Sequence, residues 1–175
     1  GFFVEALNDG TVSFTNAMRD GDNTTFRSSS NNHQVAYFHL EGNGLSDAFR
    51  VYIDANASDG VDYVYDISKM YNWNGFNAYT SIDDRDFVFQ SIEPINFNQS
   101  KRILLGFEIP ADGAYTLVLD STKGDWDNLK LLLRDKENQT LQLVSDLSAI
   151  NLNANTYKNR FELLIQRVLE RTPDE

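Results

Sequence analysis

Four aspartates, Asp54, Asp59, Asp62 and Asp66, crowd one short stretch of the chain. Within it, Asp54-Ala55-Asn56-Ala57-Ser58-Asp59-Gly60 sets oxygen-bearing side chains at alternate positions, as a calcium loop does. Counted from Asp54, however, the sixth place is Asp59 where an EF-hand needs glycine, and the twelfth is Tyr65 where it needs glutamate. The EF-hand pattern therefore fails. A calcium cluster of Asp54, Asp59, Asp62 and Asp66 is the candidate that survives. Its rival is a solvated turn whose Asp and Asn side chains cap their own backbone, and turn chemistry favours that rival.

Aromatic side chains offer a second kind of chemistry. Trp73 and Trp126 sit in the polar segments Tyr71-Asn72-Trp73-Asn74-Gly75 and Gly124-Asp125-Trp126-Asp127-Asn128, with Tyr71, Phe76 and Tyr79 near the first. A flat ring displayed beside amides and carboxylates can stack on a sugar face and bond its hydroxyls. Trp73, Trp126, Tyr71 and Tyr79 are accordingly the candidate ligand-binding set. The competing expectation is that these rings seal a sheet edge, since amphipathic aromatics bury most of their area.

Catalytic chemistry finds little to work with. His33 and His39 are the two near-neutral bases, and neither neighbours a recognisable nucleophile. The chain holds no G-x-S-x-G elbow, no H-E-x-x-H and no phosphate-cradling glycine loop. Asp83, Asp84 and Asp86 offer clustered carboxylates, a pattern that is usually solvated charge. The expectation is a protein that is not an enzyme.

Composition narrows the partners. The net charge is −11, and no basic stripe exists to neutralise phosphates, which argues against nucleic acid and anionic membranes. No apolar run is long enough to span a bilayer as a helix. With no cysteine there are no disulfides, thiol nucleophiles or thiolate metal sites. A hydrophobic fraction of 41% over 175 residues supports a packed core. The opening apolar run, Gly1-Phe2-Phe3-Val4, reads as the start of a fragment of a longer protein.

The elements that must position these residues follow from period-2 alternation. Phe49, Val51 and Ile53 alternate with Arg50, Tyr52 and Asp54, and Ile103 to Ile109 with Leu104, Gly106 and Glu108. Leu129 to Leu133 alternate with Lys130, Leu132 and Arg134, and Tyr115 to Leu119 and Phe161 to Ile165 keep the same period. Each set turns one apolar face inward, the requirement of two layered sheets. Asp9-Gly10 reads as a tight hairpin between Phe2–Ala6 and Thr11–Phe14. Pro110-Ala111-Asp112-Gly113 reads as a turn with glycine in the strained position. A further hairpin tip spans Asp135 to Gln139, with Asn138 left-handed. The expected fold is an all-β, antiparallel β-sandwich of jelly-roll or Ig-like type. It comprises an N-terminal β-hairpin over 1–19, a polar linker over 20–33, the sandwich over 34–170 and a tail over 171–175. In the run from Phe161 to Arg171, Phe161–Gln166 reads as a strand, followed by a short helix or a disordered end.

Several of these segments together carry a resemblance. Leu104-Leu105-Gly106-Phe107, Gly113-Ala114-Tyr115-Thr116-Leu117, Leu131-Leu132-Leu133-Arg134-Asp135-Lys136 and Arg160-Phe161-Glu162-Leu163 occur in this order. They follow Gly1–Ala6, Gly10–Arg19 and the aspartate-rich Asp62-Tyr63-Val64-Tyr65-Asp66 with Lys69-Met70. The set resembles the β-sandwich module that precedes the sorting domain in secreted and cell-surface proteins of Bacteroidota exported by type IX secretion. That resemblance implies a non-catalytic structural or interaction module, placed outside the cell or on its outer surface. Its partners would be other domains of the parent protein, cell-surface components or glycans. The alternatives are a carbohydrate-binding module and an accessory C-terminal domain of a secreted hydrolase.

Overall fold

Strands that alternate apolar and polar residues can bury one face and still pair laterally, and most of this chain does so. A computed structural model describes residues 10, 11, 13, 33–147 and 149–168. The chain divides into two units, Gly1–Ser30 and Asn31–Glu175, and the elements below belong to the second. They are β1 (Gln34–Gly42), β2 (Leu45–Ile53), β3 (Ile67–Ser68), β4 (Asn77–Ile82), β5 (Arg85–Ile92), β6 (Ser100–Ile109), β7 (Gly113–Lys123) and β8 (Leu129–Asp135). β9 (Thr140–Leu143), a 3-10 turn at Val144–Asp146, β10 (Ile150–Leu152) and β11 (Asn155–Arg167) complete the order.

The described residues are all-β and contain no α-helix. Ten strands follow one hydrogen-bonded path, β10-β7-β1-β2-β5-β4-β6-β11-β8-β9, with β3 paired beside β5. The path curls into a half-barrel. All pairs are antiparallel except β2 with β5, which run parallel over Arg50–Ile53 and Phe89–Ile92. Alternation reports which face of a strand is buried and not which strand lies beside it, so the parallel pair was invisible in the sequence.

The predicted apolar sets do point inward. Phe38, Phe49, Val51, Ile103, Leu105, Phe107, Leu117, Leu133, Phe161 and Leu163 belong to one buried cluster. Phe38 stacks on Phe49 at 5.1 Å, and Phe107 meets Phe161 at 5.0 Å. Truncating any one of these rings to alanine would cost about 3–5 kcal/mol. A smaller cluster of Val35, Tyr52 and Phe89, flanked by Tyr37 and Tyr65, packs on the other face of β1, β2 and β5.

The turns correct two expectations. Gly113 does not take a left-handed conformation; it is small because Asn43 lies against it, where a Cβ would fall 2.6 Å from the Asn43 side chain. In the β8–β9 hairpin the left-handed residue is Gln139 (φ 55°), not Asn138. Asn138 is held by Asp135, which accepts its backbone N–H and its side-chain amide, so the reversal moves one residue on. Two hairpins went unanticipated. Asn43-Gly44 joins β1 to β2, and Asp83-Asp84 joins β4 to β5, both with positive φ at each residue.

The run from Phe161 is strand as far as Arg167. The expected hairpin over 1–19, the linker over 20–33 and the tail over 171–175 lie outside the described residues, apart from Gly10, Thr11, Ser13 and His33.

One close approach on the outer face supports the site. Tyr79 of β4 lies directly opposite Gly106 of β6, and a Cβ at Gly106 would sit 2.0 Å from the Tyr79 ring. Gly106→Ala is therefore expected to destabilise by about 2–3 kcal/mol through overpacking. Adding Tyr79→Leu should recover part of that loss in urea melts. Equal melting of the single variant and wild type would show that the ring moves aside freely.

Candidate functional site: an anchored loop displaying apolar side chains

The connection between β2 and β4, residues 54–76, is long, rich in turn-forming residues and interrupted only by β3. Its polar side chains are spent on anchoring it. Asp54 is buried and accepts bonds from the Tyr52 hydroxyl (3.1 Å) and the Asn56 backbone N–H (2.9 Å). Asp66 accepts the backbone N–H and the hydroxyl of Ser91, each at 2.7 Å, and the backbone N–H of Asp62 at 2.7 Å. Asp62 in turn accepts the Val64 N–H, and Asp59 takes the Glu93 N–H and pairs with Lys101. These are the turn-capping bonds that Asp favours.

Further along, the Lys69 ammonium reaches Asp47 of β2 at 2.5 Å, and the same carboxylate oxygen accepts the Ala78 N–H at 2.7 Å. Lys69 is almost wholly enclosed, so its charge depends on that partner. Asn72 donates to Asn77 and to the Phe76 carbonyl. Tyr71 donates its hydroxyl to Asp86, which also holds Ser81 and Lys158. Burial first, then the bond to Asp86, push the Tyr71 phenol above its ordinary range, and it remains a donor.

What the anchored loop leaves outside is apolar. Among the described residues, nine large hydrophobic side chains are exposed, and six of them fall in this connection: Tyr63, Val64, Ile67, Met70, Tyr71 and Trp73. Trp73 is 98% exposed. Such a concentration marks a contact surface more often than chance scatter does. Apolar residues interleaved with turn formers were the signal for it in the sequence, but only Trp73 and Tyr71 were singled out there.

The other predicted residues fall elsewhere. Trp126 is 9% exposed, joins the main core and donates its indole N–H to the Lys123 carbonyl at 2.8 Å. Tyr79 is fully buried against Gly106. Neither can stack a ligand, because each ring is covered by the sheet's own packing. The four aspartates share one connection but spread their carboxylates over separate anchoring duties. Among the described residues no three His, Cys, Asp or Glu side chains come together as a metal site.

Of the three other clustered carboxylates, Asp83 and Asp84 form the β4–β5 turn and Asp86 is tied to Tyr71 and Ser81. His39, on the outer face of β1, has Nδ1 2.7 Å from Asp120 and Nε2 3.3 Å from Glu41. The Asp120 bond raises its pKa above 6.5; partial burial opposes this, and Glu41 adds to it.

A family model described as a domain of unknown function matches residues 1–165. No curated protein and no solved structure matches the chain.

Two outcomes follow from the anchoring. Asp66→Ala removes three accepted bonds and should lower unfolding free energy by about 2–3 kcal/mol, the range for bonds to a charged group. Limited proteolysis should then cut first within 54–76. For His39, a raised folded pKa means its stabilisation is fully present below pH 6.5 and fades as pH climbs through the folded value. Asp120→Asn should lower the His39 pKa in an NMR titration and flatten that part of the stability profile. An unchanged titration would show that the pairing has no weight in solution.

Proposed function

The chain belongs to the family of domains of unknown function DUF8693, and we propose that it is a non-catalytic binding module of an exported, surface-attached protein. Its contact surface is the anchored connection over 54–76. The observation that carries this reading is the gathering of Tyr63, Val64, Ile67, Met70, Tyr71 and Trp73 on a loop stapled by carboxylates. A loop already held in place loses little conformational freedom on binding, which favours affinity from a small apolar surface. The intended partners are other domains of the parent protein or components of the cell surface. The net charge of −11 keeps nucleic acid outside that set.

In fold terms we read the half-barrel as a sandwich-like shell. The inner faces of β1, β2 and β7 share one core with those of β6, β8 and β11. The resemblance to modules preceding type IX sorting domains supports the outer-surface location and a presenting or attaching role.

Carbohydrate binding is the second reading, favoured by the bare Trp73 ring. It would rest on Trp73 with help from Tyr71, since the other two candidate rings are buried.

Trp73→Ala and Met70→Ser lie on the exposed loop and should leave the melting temperature nearly unchanged. Combined, they should abolish co-elution of the chain with the remaining domains of its parent protein on size exclusion. Equal co-elution of variant and wild type would remove the loop from that interaction. Affinity electrophoresis in a polysaccharide panel separates the second reading: retardation lost in Trp73→Ala would assign the loop to glycans instead.

A further inference from the structure

In β8 and β11 the outward positions are not all polar. Leu131-Leu132-Leu133 and Leu163-Leu164-Ile165 are apolar on both faces of their strands, a pattern that marks strands covered on both sides. Leu131, Leu133, Leu163 and Ile165 fill the core, so Leu132 and Leu164 point outward. The register sets Leu164 beside Leu132, and Leu132 beside Leu143 of β9. One apolar row therefore crosses the outer face of three strands and runs out to the last strand of the sheet.

The path ends at β9, and among the described residues no strand pairs with its far side. Its four residues, Thr140-Leu141-Gln142-Leu143, are all exposed. They include none of the lysine or proline that guards natural sheet edges, and their pairing with β8 has no bulge. A recess flanks this edge on each face. The inner one, of about 280 Å³, is walled by Leu133, Leu147 and Ile150 beside Thr140 and Gln142. The outer one, of about 370 Å³, opens beside Arg134, Lys136 and Leu141. A strand added here would alternate its side chains between the two faces and send one set to each recess.

Charge says what that strand carries. In a chain of net charge −11, the outer face beside β9 sets Arg102, Lys130, Arg134 and Lys136 against one buried carboxylate, Glu162. Glu162 is shared between Arg134 at 3.5 Å and Lys136 at 3.3 Å. Asp135 and Glu137, at the same hairpin, are both taken by Arg160. The surplus positive charge calls for carboxylates on the incoming strand. A second copy of this chain does not supply them at β9, since joining edge to edge sets two cationic faces side by side.

We propose that β9 accepts an additional strand from a partner protein, an extended segment in which apolar and acidic residues alternate. Backbone bonds to the open edge hold it. Its apolar side chains enter the inner recess, and its carboxylates meet Lys136 and Arg134 on the outer face, where Leu141 and Leu143 pack on their stems. This surface is separate from residues 54–76 and stands independently of them.

Fluorescence anisotropy on the full chain tests it, with short labelled peptides that alternate glutamate with leucine or aspartate with valine. Binding of at least one is expected, and a lysine–leucine peptide should not bind. Methylating every second backbone nitrogen of the bound peptide should abolish binding in one phase and spare it in the other, because one side of a strand faces β9. Leu141→Ser combined with Leu143→Ser should weaken binding about tenfold and leave the melting temperature nearly unchanged. Lys136→Glu should weaken it comparably and reduce its salt dependence, and serves if the double variant fails to fold. Trp73→Ala should bind as wild type does. No binding of either acidic peptide, equal binding of the lysine peptide, or the same effect from both methylation phases would each overturn the proposal. So would loss in Trp73→Ala, which would move the peptide to the loop. Sedimentation showing a dimer that Leu141→Ser and Leu143→Ser dissolve, without peptide binding, would give the edge to a second copy instead. Binding to phosphatidylserine vesicles alone would give the face to a membrane surface and equally overturn it.

Discussion

The parallel pairing of β2 with β5 is the constraint on which the rest of the molecule turns. Antiparallel neighbours can be joined by two residues, as Asn43-Gly44 and Asp83-Asp84 do here. Parallel neighbours cannot, because the chain must travel back before it runs in the same direction again. Residues 54–76 and β4 make that return journey. β5 then serves both halves of the sheet, pairing with β4 at Arg85–Phe87 and with β2 at Phe89–Ile92. The long connection that displays the apolar side chains is thus a consequence of topology.

A connection of that length is entropically expensive to order, and the chain's acidic character supplies the means. Asp47, Asp54, Asp59, Asp62 and Asp66 each accept bonds that fix the backbone or an ammonium. The same economy operates across β8 and β11, where Arg160 grips Asp135 at 2.9 and 2.7 Å. Burial works against ionisation of Asp135, but Arg160 and the N–H groups of Asn138 and Glu137 hold its carboxyl below the usual range. The closely spaced aspartates of this connection thus anchor its backbone.

The loop presents rings and thioether from a backbone pinned at many points. His39, whose pKa is raised, is flanked by carboxylates on both ring nitrogens on an outer strand face, where it acts as a pairing residue.

Strand identity was legible from residues such as Phe49, Val51, Leu105 and Leu163, because burial of one pleated face imposes a two-residue period whatever the neighbours are. Trp73 was legible as an exposed ring from its polar setting, and the same argument misplaced Trp126. Two residues in similar local company differ only in whether the core reaches them, which local sequence does not encode. Gln90, which is buried, shows the same limit from the other side, since nothing near it in sequence distinguishes an interior amide from a solvated one. The sequence by itself determined that this chain forms strands with one apolar face, joined by turns and carrying excess negative charge, since these are short-range properties of residues and spacing. Tertiary structure alone decided the partner of each strand, the parallel step at β5, the rings left bare and the amide enclosed, because those depend on contacts between residues far apart in the chain.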